Sequence, residues 1–252
     1  MTNRTGGLLA ITASFLALVP LVVLGAAIDW PASLGDPAAD ALPRLLDNEG
    51  AVRFGYLAYL GYSVLLLPVG IAVTRWADGG ARATLSTLAL IAMGAAAVSS
   101  GMRTIGIIRW LSTMFPLAES WEVADDAERA IIAVQFDAVN NYGGAIGELL
   151  GVGLFAVVWL AVTALGPGRR HRGGWFVISG AVVAAVVAVP LIDLAGVDPG
   201  AAVILSGTAF NLWLLAVGVA MIRDTEPTAA QSTAAEPTAA ERIGAESPAR
   251  TS

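Results

Sequence analysis

The chain has 252 residues, a formal net charge of −6, no cysteine and one histidine, His171, which excludes disulfides, thiolate catalysis, Cys-ligated metals and a multi-His metal site. Only 13% of its residues are charged and 56% are hydrophobic, with a mean hydropathy of +0.72; a soluble domain carries about a quarter charged residues, so the composition is that of a membrane protein. The acidic balance argues against a nucleic-acid partner.

A bilayer core needs about 20 apolar residues per helix, and six stretches meet that requirement. The first runs from about Gly7 to Ile28. It follows Arg4 and ends in a small-residue run, Gly25, Ala26 and Ala27, that resembles a cleavage site. It is longer than the h-region of about 7–15 residues that a signal peptide carries, so an anchored helix is expected, with a cleaved signal as the alternative. The second runs from about Phe54 to Thr74, and the third starts near Thr84 and passes Gly101. The fourth ends near Gly166, the fifth covers about Trp175 to Ala195, and the sixth about Ala201 to Ile222. "RTIGIIRWLSTMF" continues past Arg103, and "RAIIAVQFDAVNNYGG" leads towards Glu148. The expected fold is an all-α polytopic transmembrane helix bundle of about six spans, with an extracytoplasmic helical extension between spans 3 and 4. Residues 1–222 form the bundle. Residues 223–252 repeat "EPTAA", have almost no large apolar side chain and read as a disordered cytoplasmic tail.

All 14 basic residues are arginine, which removes Schiff-base chemistry and the Walker lysine. Their placement sets the orientation. Arg75 and Arg82 lie between spans 2 and 3, and Arg169, Arg170 and Arg172 between spans 4 and 5. Arg4 and Arg223 flank the first and last spans on that same side. The opposite loops are acidic, with Asp29, Asp36, Asp40, Asp47 and Glu49 in one and Glu119, Glu122, Asp125, Asp126 and Glu128 in the other. The positive-inside rule makes both termini cytoplasmic in a multi-pass protein of the plasma membrane. Trp76 and Trp175 are expected in the inner aromatic belt, and Trp30 and Trp121 in the outer one.

Ionisable residues inside spans are site candidates. Counted from the arginine-loop ends, Glu148 is 18 residues from Gly166, Arg103 is 19 from Thr84 and Asp193 is 18 from Trp175. All three therefore sit roughly 27–28 Å up, at one level. Arg103 is the expected partner of Glu148 or Asp193 through a two-pronged guanidinium contact. The cluster reads either as a structural ion-pair network or as a ligand site. Asp137, Asn141, Gly144 and Glu148 recur on one helical face, a polar stripe leading down to the carboxylate. Gly143, Gly147 and Gly151 recur every four residues, a pattern that lets a neighbouring helix approach closely, with Gly94 and Gly101 spaced to receive it. Further down, leucine at Ala156 should be milder than leucine at Gly147 if that position faces lipid. Tyr56, Tyr59 and Tyr62 read as an interfacial belt or as hydroxyls lining a pocket, and Asn211 as an interhelical hydrogen bond.

"RWLSTMFPLA", with Arg109, Trp110, Pro116, Leu117 and Ala118, and "GGAIGELLG", with Gly143, Gly147, Glu148 and Gly151, resemble bacterial membrane proteins grouped as domain of unknown function 4386. The opening of the second span, "NEGAVRFGYLAYLGYSVLLLPVGIAV", resembles them too, and the resemblance covers roughly residues 6–222. It implies a multi-helix membrane protein and supplies no substrate, cofactor or catalytic residue. Leu149 follows the Gly-Glu pair where the family often has histidine, which removes any metal or proton role for that side chain.

No nucleophile–base pair is legible, so a non-enzymatic protein without cofactor or metal is expected. It would bind a lipid or small amphiphile in an outward-facing polar pocket, with Arg103, Glu148, Asp193, Asp137, Asn141 and Tyr59 as the candidate ligand-binding residues. A small-solute or proton-coupled transporter is the alternative. Membrane lipids are the expected partners, and the sequence leaves room for a homo-oligomer and for a cytoplasmic partner of the tail.

Overall fold

The computed structural model describes residues 1–80 and 84–224. Arg82 and the sequence-predicted tail beyond Asp224 lie outside the described residues. Among the described residues there is no strand, and six helical stretches are long and apolar enough to cross a membrane.

The first stretch is α1 (Asn3–Leu16) and α2 (Leu18–Ile28). Pro20 has no N–H to offer the Leu16 carbonyl, and the helix breaks at Ala17. α3 (Ala38–Asp47) lies between the first two stretches. α4 (Glu49–Ala77) is the second stretch, and α5 (Thr87–Ser112) with α6 (Met114–Val123) the third. The fourth runs through α7 (Asp126–Gly144), a π-helical segment (Ala145–Leu154), α8 (Phe155–Thr163), a second π-helical segment (Ala164–Gly168) and α9 (Arg169–His171). The fifth is α10 (Gly174–Ala188) with a 3₁₀ segment (Val189–Ala195), and α11 (Ala202–Arg223) is the sixth.

Two cores result. The larger lies within the bundle around Trp159, Phe176, Phe210 and Trp213. Two of its indoles find hydroxyl partners within the bundle, as a bilayer interior favours. The Trp159 indole donates to Thr74 Oγ1 at 3.0 Å, and the Trp213 indole to Ser179 Oγ at 3.2 Å. Trp76 belongs to this core and is 3% exposed, so it is not the belt residue expected. Its indole donates to Asp224 at 2.7 Å, its ring lies 4.0 Å under the Arg172 guanidinium, and Arg172 pairs with Asp224 at 2.6 Å. These contacts tie the arginine loop to the ends of α4 and α11. Ala156 is also fully buried, so the condition under which leucine there would be mild is not met.

The smaller core lies at the acidic-loop end, where α3, α6 and α7 pack over the ends of α2, α4 and α5. α3 differs from the acidic loop that its segment reads as in the sequence. Ala38, Ala41, Leu42 and Leu45 nevertheless recur at i, i+3, i+4 and i+7, and all four are buried. The helical extension between spans 3 and 4 is present: α6 closes against α7 after a two-residue break, and Asp125 and Glu128 cap α7 reciprocally.

Helix α5 and the π-helical segment touch backbone to backbone. A Cβ on Gly106 would lie 2.5 Å from the Cα of Gly147, and one on Gly147 would lie 2.9 Å from the Cα of Gly106. A Cβ on Gly151 would stand 2.8 Å from the Arg103 nitrogen, and one on Gly143 would stand 2.6 Å from Arg109 Cδ. The glycine stripe is thus received by Gly106, Arg103 and Arg109. Gly94 and Gly101, the expected receivers, are exposed, and a Cβ on either would meet nothing within 4 Å.

Candidate functional site

A cavity of about 390 Å³ lies where all six stretches meet. Its polar wall carries Tyr59 and Tyr62 from α4, Arg103 and Arg109 from α5, Glu148 from the π-helical segment, Asp193 from the 3₁₀ segment and Asn211 from α11. Trp30, Pro31 and Leu34 line it from the acidic-loop side. The rest of the lining is largely apolar, and on one flank the cavity opens sideways. α1 packs on α11, but beyond the break at Ala17 α2 packs on α4. Leu18 and Leu21 on one edge, and Ile204 and Leu212 on the other, line the cavity and are exposed.

The ion pair of the site is Arg109–Glu148, Nη2 to Oε1 at 3.1 Å, and not Arg103–Glu148. Arg109 is 7% exposed and also donates from Nη1 to the Gly106 carbonyl at 2.8 Å. Glu148 is 47% exposed and presents its carboxylate to the cavity. Two boundaries explain the change of partner. Helix α5 begins at Thr87, three residues after Thr84, and the fourth stretch ends at His171, five residues after Gly166. Together these eight residues raise Glu148 relative to α5 by roughly 12 Å. Arg109 lies six residues beyond Arg103, roughly 9 Å further along the same helix.

Arg103 remains in the cavity wall without Glu148. It is 5% exposed, its Nε donates to Ser99 Oγ at 3.4 Å, and its Cζ lies 5.5 Å from the Phe210 ring centroid. An arginine at mid-helix costs about 2.5–3.5 kcal/mol on insertion scales; Glu148 offsets that cost for Arg109, and among the described residues no comparable carboxylate contact offsets it for Arg103. Asp193 lines the same cavity, is exposed, and makes no ion pair within 4.0 Å among the described residues.

The polar stripe does not reach the site. Asp137 and Asn141 are exposed on α7 and do not line the cavity. The stripe assumed α-helical phase throughout, whereas Glu148 lies in π-helix with i→i+5 bonding. The inward-facing amide of this region is Asn140, which donates to the Leu34 carbonyl at 2.9 Å. The tyrosines do not form an interfacial belt: Tyr56 and Tyr62 are buried, and Tyr59 packs between Trp30 and Tyr62. Tyr56 stacks on Trp110 with ring centroids 5.1 Å apart, and Tyr62 donates to Asn211 Oδ1 at 3.2 Å, an interhelical bond between α4 and α11. No group of three or more His, Cys, Asp or Glu side chains is placed to hold a metal ion among the described residues.

The profile of a family described as Domain of unknown function (DUF4386) matches residues 5–218. The chain belongs to that family. No curated protein and no solved structure matches the chain. In this DUF4386 protein the matched segment takes in every residue of the cavity wall named above. The Arg109–Trp110 pair, part of the stretch that carries the family resemblance, has a physical role here. Arg109 holds Glu148, and Trp110 supports Tyr56. The signal was present in the sequence as a second arginine on the third span, one and two-thirds turns beyond the first.

Proposed function

We propose that this DUF4386 protein is a non-enzymatic membrane protein that binds a lipid or small amphiphile in the cavity between its spans. The observation that carries the reading is the cavity's two-sided chemistry. Arg103, Tyr62 and Asn211 form a polar end, and the gap between α2 and α11 gives an apolar flank open towards the bilayer. A ligand with a polar head and a hydrocarbon chain satisfies both at once. Purification in a mild nonionic detergent followed by lipid extraction and mass spectrometry should recover about one amphiphile per chain. Gly207 lines the cavity, and a Cβ there would meet nothing within 4 Å. Gly207→Leu should therefore fill the space and abolish copurification with little change in melting temperature. Equal recovery from wild type and variant would refute cavity binding. An ion-dependent solute flux in proteoliposomes would instead favour a carrier.

The arginine loops support a plasma-membrane orientation with both termini in the cytoplasm, which places the cap of α3, α6 and α7 outside. Because the chain lacks cysteine, single cysteines can report this. Cysteines introduced at 120–128 should label in intact cells with an impermeant thiol reagent, and those at 168–173 should label only after lysis. The inverse pattern would overturn the orientation.

A further inference from the structure

We infer that the amphiphile carries an anionic head, a carboxylate or a phosphate monoester, and that Arg103 receives it. This rests on the reading of the cavity as an amphiphile site and adds the charge of the head. The two cavity arginines differ in what surrounds them. Arg109 is matched by Glu148 at 3.1 Å. Arg103 is as deeply buried, yet among the described residues no carboxylate oxygen lies within 4.0 Å of it. Its neighbours are the Ser99 hydroxyl, the Phe210 ring and Tyr62, all neutral. A buried guanidinium facing a cavity without a counter-ion is a receptor for a planar or tetrahedral oxyanion, which its fork of N–H donors grips in two places. Asp193 shares the cavity but stands exposed beyond ion-pair distance.

The apolar flank argues for an anion with a chain and against a free ion. Leu18 and Ile204 leave the opening unsuited to a hydrated phosphate approaching alone. At about 390 Å³ the cavity is near the lower end of small-molecule pockets, about 300–1,000 Å³. It accommodates one head and the start of one chain, with the remainder leaving between α2 and α11. A single-chain anionic amphiphile fits best.

The full-length protein in nonionic detergent can be titrated with 1-oleoyl-lysophosphatidate, oleate, neutral monoolein and inorganic phosphate, with binding read by native mass spectrometry. The two anionic amphiphiles should bind about tenfold or more tightly than monoolein, and inorganic phosphate should not displace them. Arg103→Gln should remove the preference and bring the anionic probes down to the level of monoolein on the same variant, while Arg103→Lys should keep part of the preference. Equal affinity of wild type for all three amphiphiles would overturn the anionic head and leave the amphiphile reading intact. Displacement by inorganic phosphate at similar concentration would make the site one for a free anion and overturn the chain. Failure of every amphiphile to bind would overturn both readings. The preference is measured on wild type, so the test holds even if Arg103→Gln does not fold.

Discussion

Gly147→Leu is expected to destabilise the protein by about 3 kcal/mol, the upper end of the overpacking range, and to lower its melting temperature in detergent by several degrees. The reason is the absence of any flexible atom that can give way. A Cβ on Gly147 meets the Cα of Gly106 at 2.9 Å, backbone against backbone. Relief requires α5 to move off the π-helical segment, which also carries Glu148 away from Arg109. The sign of a smaller change is more telling than its size. Alanine is intrinsically a better helix former than glycine by about 1 kcal/mol, so Gly→Ala at an open position should be neutral or stabilising. Gly101 is such a position on α5, exposed and with nothing within 4 Å of its Cβ. Gly147→Ala should lower the melting temperature and Gly101→Ala should not. Equal behaviour of the two variants would refute the close approach.

The second large effect is the coupling between Arg109 and Glu148. Breaking a fully buried pair costs about 3–5 kcal/mol, chiefly because one charge is left alone. Here Glu148 is 47% exposed and Arg109 only 7%, so the loss should depend on which partner is removed. Glu148→Gln removes the counter-charge and leaves the buried guanidinium with neutral partners, the Gly106 carbonyl among them. Arg109→Gln leaves a carboxylate that cavity water can reach, but it also removes the side chain packed on Gly143. Each change should cost about 1–3 kcal/mol, less than in a sealed core because of that exposure. The double variant should be milder than the sum by about 0.5–3 kcal/mol, the range for contacting pairs. A cycle on Arg103 and Glu148 should be closer to additive, since those two are not in contact. The reverse outcome, strong coupling to Arg103 and none to Arg109, would overturn the assignment of the pair. Melting temperatures of six chains (wild type, three single variants and two doubles) are sufficient.

Some features of this protein are local enough to be read from sequence. Six apolar runs of bilayer length specify six spanning helices whatever their neighbours, because a bilayer offers no water to an unpaired backbone and leaves little but a helix. The helical extension follows from runs too long to end at the membrane surface. That Glu148 and Arg103 turn inward was legible from their place within spans, since a charge within a span must turn away from lipid; the equal depth counted for them was not correct, because both helix ends lie elsewhere.

The tertiary structure decided what the residues do to one another. Arg109, not Arg103, holds Glu148, because the fourth stretch continues through Pro167 to His171 and α5 starts late. A few residues of uncertainty at two helix ends become a difference of roughly two helical turns once summed across a pair. The π-helical bonding of Ala145–Leu154 breaks the α-helical phase that placed Asp137 and Asn141 above the carboxylate. Gly106 is the partner of Gly147 because register between helices is set by the whole interface, and a motif on one helix does not name its complement on the next. The sideways opening between α2 and α11 depends on a break at Ala17 acting on helices nearly 200 residues apart in sequence. Sequence determined which groups had to leave the lipid; only packing decided which of them meet, and that Arg103 does so without a counter-charge among the described residues.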